Sequence, residues 1–171
     1  MKKILIILTI LFVSNLSAQK FKALDVSPLD ISYSTNPEAP ARIIYSRPQL
    51  KGRKLDGLAS KGKIWRTGAN ETTELTLFKD MKIGGKSILE GRYSLYTIPG
   101  ETEWTIILNS KLDTWGAYSY SESNDVLRVK ARAYYQNESI EAFSIIMEDS
   151  ENGFDIHIGW DNMRLKIPIT K

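Results

Sequence analysis

The chain has 171 residues, 42% of them hydrophobic and 25% charged, an ordinary globular composition that excludes collagen-like, low-complexity and wholly disordered classes. With no Cys and one His, it also excludes disulfide scaffolds, thiolate nucleophiles, Cys-based zinc or iron–sulfur sites, a lipidated N-terminal Cys and His-rich metal cages. The formal charge is +3.

In chain order, Met1-Lys2-Lys3 precedes an uncharged apolar run, Ile4 to Val13, and then Ser14-Asn15-Leu16-Ser17-Ala18. A basic start, an apolar stretch of about ten residues and a small residue at the cut read as a signal peptide cleaved after Ala18. The run is short for a bilayer core of about 30 Å. The expectation is export to the periplasm or beyond, with no membrane span left after cleavage. Loss of Lys2 and Lys3 would lower the formal charge from +3 to +1, which removes the compositional case for nucleic acid. Residues 19–40, with Pro28, Pro37 and Pro40, read as an extended arm, and residues 41–171 as one domain without linker or repeat.

Within that domain, alternation predicts strands at residues 42–46, 73–78, 93–98 and 104–109. A small hairpin at 81–88 turns on Gly84-Gly85. Leu127, Val129, Ala131 and Ala133 alternate with Arg128, Lys130 and Arg132, a half-buried strand whose basic stripe reads as a solvated face rather than an anion site. Phe143, Ile145 and Met147 form the next strand, and Ser150-Glu151-Asn152-Gly153 turns it into Phe154, Ile156, Ile158 and Trp160. A two-residue turn at Asp161-Asn162 would then pair Trp160 with Met163 and Phe154 with Ile169, completing a three-stranded meander. No window of eleven residues carries a helical apolar period. The fold class expected is all-β, a single-domain antiparallel sandwich (immunoglobulin-like or prealbumin-like) or a flattened barrel. The Gly91-Arg92-Tyr93-Ser94-Leu95 entry to a strand is common in such sandwiches.

Several stretches carry a family likeness: Ile44-Tyr45-Ser46-Arg47-Pro48, Lys51-Gly52-Arg53, Trp65-Arg66-Thr67-Gly68-Ala69-Asn70-Glu71, the run from Gly91 to Pro99, Trp104-Thr105-Ile106-Ile107 and Trp115-Gly116. Together they resemble DUF2911, a bacterial domain family of unknown function, over roughly residues 27 to 170. The resemblance implies an exported single-domain protein and supplies no catalytic residue.

Three constellations could carry chemistry. Arg47, Arg53 and Arg66 offer planar forks for carboxylate, phosphate or sulfate, with Thr67 and Asn70 as neutral partners and Trp65 as a stacking face. Gly68 would allow a close approach by ligand or backbone. The structural alternative is that these arginines clamp loops and Trp65 is core. Among the aromatics, Trp160 and Trp104 fall in core register, whereas Trp115 lies in an irregular segment with Tyr118 and Tyr120 and is the candidate exposed platform. Glu71, Glu74, Asp113, Glu122 and Asp125 are the candidate carboxylates for a glycosidase, although no spacing singles out a pair. His157 lies on a polar strand face, opposite Lys166 in the hairpin register, and reads as solvated. No metal site, cofactor motif, Gly-x-Ser-x-Gly or phosphate loop is present, and the sequons at Asn70 and Asn137 matter only in a eukaryotic pathway.

The function expected is non-catalytic binding of a polar ligand, anionic or glycan, with Arg47, Arg53, Trp65, Arg66, Asn70 and Trp115 as the binding residues. The alternatives are a small hydrolase of cell-envelope glycans that uses Glu71, and a structural or protein-partner module.

Overall fold

A computed structural model describes residues 27–171; the signal segment and cleavage site expected from the sequence, and the start of the expected arm, lie outside the described residues. Nine strands form one antiparallel sheet in the order β1-β2-β3-β6-β7-β8-β9-β4-β5, which does not close into a barrel. The strands are β1 (Leu29–Ser34), β2 (Ala41–Ser46), β3 (Glu74–Leu77), β4 (Met81–Ile83), β5 (Lys86–Ile88), β6 (Gly91–Ile98), β7 (Glu103–Asn109), β8 (Asp125–Ser150) and β9 (Gly153–Thr170). Between them lie only a single helical turn, α1 (Leu55–Leu58), and a 3-10 turn at Glu122–Asn124. Among the described residues no helix is long and apolar enough to cross a membrane.

The 26 residues of β8 explain how one sheet makes two layers. Its first half pairs with β7, from Asn109↔Asp125 to Glu103↔Arg132. Its second half pairs with β9, and the register slips twice between Tyr135 and Ser144. Such irregularities bend a strand and sharpen its twist, so the sheet folds over on itself here. The inner faces meet at Tyr45 of β2 and Phe143 of β8, whose rings stand edge-on at 5.8 Å.

The Asp161-Asn162 turn expected from the sequence does not form. β9 runs straight through from Gly153 to Thr170. Met163 and Leu165 pair with Tyr135 and Ala133, while Ile156 and Ile158 pair with Met147 and Ile145. Asp161 does take a positive φ of 51°, but in a bulge opposite Ile140. A bulge shifts the apolar phase as a two-residue turn does, and the apolar residues on both sides of Asp161 are buried. The local pattern cannot tell the two apart; the length of the partner strand decides. The expected meander is therefore two long strands, turned at Ser150↔Gly153. Likewise, residues 29–34, read as part of an extended arm, form edge strand β1 on β2.

Polar staples hold the layers together. Arg47 donates from Nε to the Phe143 carbonyl (3.0 Å), from Nη2 to Ser144 Oγ (2.8 Å) and from Nη1 to Asp30 Oδ2 (3.2 Å). The Tyr45 hydroxyl sits 3.0 Å from Asp30 Oδ2 and accepts the Ile145 amide at 3.0 Å; burial pushes its pKa up to about 12. At one end of the sandwich Trp65, exchanging both backbone hydrogen bonds with Thr97, stacks on Trp160 at 5.6 Å and meets Phe143 edge-on at 5.2 Å.

Candidate functional site

The outer face of the first layer carries a cavity of about 430 Å³. Its floor is set by register. Ile31 lies opposite Ile44, Ile44 opposite Glu74 and Glu74 opposite Ser94, so these side chains share the face turned away from the core. Two loops wall it. Glu71 and Trp115 form an isolated antiparallel bridge, flanked by Thr72 N–H to the Thr114 carbonyl (2.9 Å) and Gly116 N–H to the Asn70 carbonyl (2.9 Å).

A directed chain of hydroxyls fixes that wall. Thr72 donates to the Gly116 carbonyl at 2.6 Å, which leaves Thr72 Oγ1 to accept from Thr114 at 2.8 Å. Thr114 Oγ1 then accepts from the Tyr96 hydroxyl at 3.1 Å. Tyr96 is buried on this outer face because Tyr120 packs edge-on against it at 5.0 Å, under the loop that carries Trp115. Burial and a hydrogen bond donated to Asp125 raise the Tyr120 pKa above its ordinary value, so its hydroxyl stays protonated.

Charge in the cavity is lopsided. Arg92 Nη2 reaches Glu74 Oε2 at 2.6 Å and Asp113 Oδ1 at 3.2 Å, and the other Glu74 oxygen lies 3.4 Å from the Asp113 amide. Glu71 adds a third, exposed carboxylate. Three carboxylates against one guanidinium make this an acidic pocket. The two carboxylates on Arg92 push its pKa upward, led by the Glu74 hydrogen bond, and its charge is permanent. Trp115 leaves 58% of its surface in solvent beside these groups, and Leu29 and Ile44 supply apolar floor.

Of the six residues singled out in the sequence for ligand binding, Trp115 alone lines this cavity. Arg47 is the interlayer staple described above. Arg53 holds its own loop through the Leu50 and Gln49 carbonyls, at 2.9 and 2.8 Å. Trp65 is core. Arg66 is half-buried beside exposed Tyr118; its Nε finds no partner, and desolvation lowers its pKa. Asn70 turns the loop with φ 57° and offers its carbonyl to Gly116. Thr67 is fully buried, 3.2 Å from Thr97 Oγ1. The close approach at Gly68 is to the protein itself: a Cβ there would lie 2.9 Å from Thr73 Oγ1 and 3.0 Å from the Ser46 carbonyl oxygen.

Among the carboxylates, Glu71, Glu74 and Asp113 converge in the cavity, while Glu122 and Asp125 pair with Arg128 elsewhere. His157 is half-buried opposite Ile146, not opposite Lys166, with Nε2 3.1 Å from Glu148 Oε2 but outside hydrogen-bonding geometry. Sequence reasoning missed Arg92, the only cation among the described residues that line the cavity. The available signal was its alternation with Ser94 on the polar side of β6. Among the described residues, no three His, Cys, Asp or Glu side chains are arranged to hold a metal ion.

A family model described as "Protein of unknown function (DUF2911)" matches residues 27–169. No curated protein and no solved structure matches the chain.

Proposed function

The chain belongs to the DUF2911 family, and from that premise we propose that it is a non-catalytic binding module whose cavity beside Trp115 takes a neutral glycan. The observation that carries this reading is an exposed indole set against a rim of Glu71, Asp113 and Arg92. The C–H face of a pyranose suits an aromatic surface, and its hydroxyls donate to carboxylates and accept from a guanidinium. The excess of carboxylates argues against the anionic ligand also expected from the sequence, since a like charge would meet repulsion at close range. Export follows from the N-terminal pattern and would place the domain among envelope or environmental glycans.

A second reading has one observation in its favour. Glu71 stands in the cleft with no ion pair among the described residues, as a hydrolytic carboxylate would. Binding is favoured over hydrolysis because Glu74 and Asp113 are both already engaged by Arg92, which leaves no second carboxylate free for the pair that glycoside cleavage needs.

The test is a thermal-shift and calorimetric screen of the mature protein against neutral oligosaccharides. Binding should fall about tenfold or more in Trp115→Ala, a loss of roughly 1.4 kcal/mol, with no reducing ends released by the wild type. Glycan binding that is equal in Trp115→Ala would remove the proposed site, and turnover abolished by Glu71→Gln would replace the binding reading with the hydrolytic one.

A further inference from the structure

The sheet stops short of closure between β5 and the first half of β8. β5 pairs only with β4, and β8 meets β9 only from Ala133 onward, so two strand edges face each other across an open seam. The tip of the β4–β5 hairpin is seated on β8: Gly84 has φ 58°, and a Cβ there would lie 3.0 Å from Val129 Cγ1. Lys86 crosses the seam and donates its ammonium to the Arg128 carbonyl at 3.0 Å.

A groove of about 540 Å³ lies along this seam, lined by Gly84, Lys86, Thr105, Arg128, Val129 and Lys130. It has three cations and no carboxylate, the opposite of the cavity beside Trp115. Arg128 is balanced by Glu122 and Asp125. Lys86 and Lys130 are not: each ammonium is tethered to a neutral acceptor, Lys130 to Thr105 Oγ1 at 2.8 Å. Among the described residues, the lysine ion pairs are formed by Lys61, Lys79 and Lys166 instead. Each tethered ammonium keeps further N–H donors to offer. Both side chains are exposed, and an ammonium tethered to a neutral acceptor retains its full charge for a ligand.

We propose that this seam binds a phosphate-bearing ligand, with Lys86 and Lys130 supplying the two ammonium groups that grip it. The proposal is independent of the glycan site, with which the groove shares no lining residue. The competing use of lysines here is to guard an open strand edge against pairing with another chain. A guard needs only charge of either sign, whereas phosphate recognition needs positive charge, so charge reversal separates the two.

The experiment follows backbone amide shifts of the mature protein at low ionic strength as inorganic pyrophosphate is added. A parallel arm sediments the protein with phosphatidylglycerol vesicles. The expected result is saturable shifts centred on Lys86, Thr105 and Lys130 that weaken as salt is raised. In a Lys86→Glu, Lys130→Glu double variant that melts cooperatively and stays monodisperse, affinity should drop at least about tenfold. Vesicle binding lost in the same variant would identify the phosphate source as a lipid headgroup, and pyrophosphate binding alone would identify a soluble one. If pyrophosphate shifts nothing in the groove and vesicles are not bound, or if the double variant binds as well as the wild type, the proposal is overturned. Because a variant that failed to fold would report on the fold, Lys86→Gln, Lys130→Gln is the second variant, with the same loss expected.

Discussion

Trp65 stacks on Trp160 with 6% of its surface exposed, whereas Trp115 leaves 58% in solvent on a loop braced by Thr72, Thr114 and Tyr96. The difference sets opposite expectations for two chemically identical truncations. Trp65→Ala removes a ring that touches Trp104, Phe143 and Trp160, and should cost about 3–5 kcal/mol. Trp115→Ala removes little buried contact and should stay within about 0.5 kcal/mol of the wild type. Urea unfolding of the two variants checks both. A large loss from Trp115→Ala would mean that its indole braces the loop instead of serving as a platform. Asp149 gives a pH-dependent case. Thr35 Oγ1 (2.6 Å) and Ser34 Oγ (2.7 Å) donate to its carboxylate, and these hydrogen bonds hold its pKa below the ordinary 3.8. A carboxylate with a depressed folded pKa stabilises the fold above its unfolded value and loses that contribution as pH falls through the folded one. The gap in Tm between wild type and Asp149→Asn should therefore be widest near neutrality and shrink below pH 3.8. A gap constant with pH would contradict this.

At the scale of elements, the strands that period-two alternation locates by themselves, at β2, β3, β6, β7 and the β4–β5 hairpin, were legible, because a half-buried strand must alternate to bury one face. What was not legible is continuity. Residues 127–133 and 143–147 read as two strands, yet β8 joins them through a stretch where most residues from Tyr134 to Ala142 are exposed and no alternation shows. The same blindness turned the Asp161 bulge into a turn. Cross-strand Hα contacts decide it: the fold places Met163 opposite Tyr135 and Leu165 opposite Ala133. Contacts between Trp160 and Met163, or between Ile158 and Leu165, as facing hairpin partners would contradict that register. The candidate site was legible in part for a related reason. Trp115 stood out as an aromatic outside any strand, but the cluster of Glu71, Glu74, Asp113 and Arg92 depends on β3 lying beside β6 and on two loops meeting above them. Spacing in sequence does not encode that meeting. Of the three arginines that did stand out, Arg47 and Arg53 are consumed by carbonyls at 2.8–3.0 Å, and Arg66 lies outside the cavity.

Across the whole molecule, one sheet folded at β8 presents two grooves of opposite charge: an acidic cavity against β2, β3 and β6, and a basic seam where closure between β5 and β8 is incomplete. The core that supports both contains no disulfide, so aromatic and aliphatic packing between the layers, with the Arg47 and Tyr45 staples, holds the fold together. The proposed function puts a neutral glycan in the cavity beside Trp115. The four tryptophans make it directly measurable, because three indoles are buried and one is not. Indole N–H signals followed by two-dimensional NMR during titration with neutral oligosaccharides should show the Trp115 resonance moving and saturating while those of Trp65, Trp104 and Trp160 hold still. A Trp115 signal that stays fixed while a glycan binds elsewhere, or that never moves with any neutral glycan, would contradict the account.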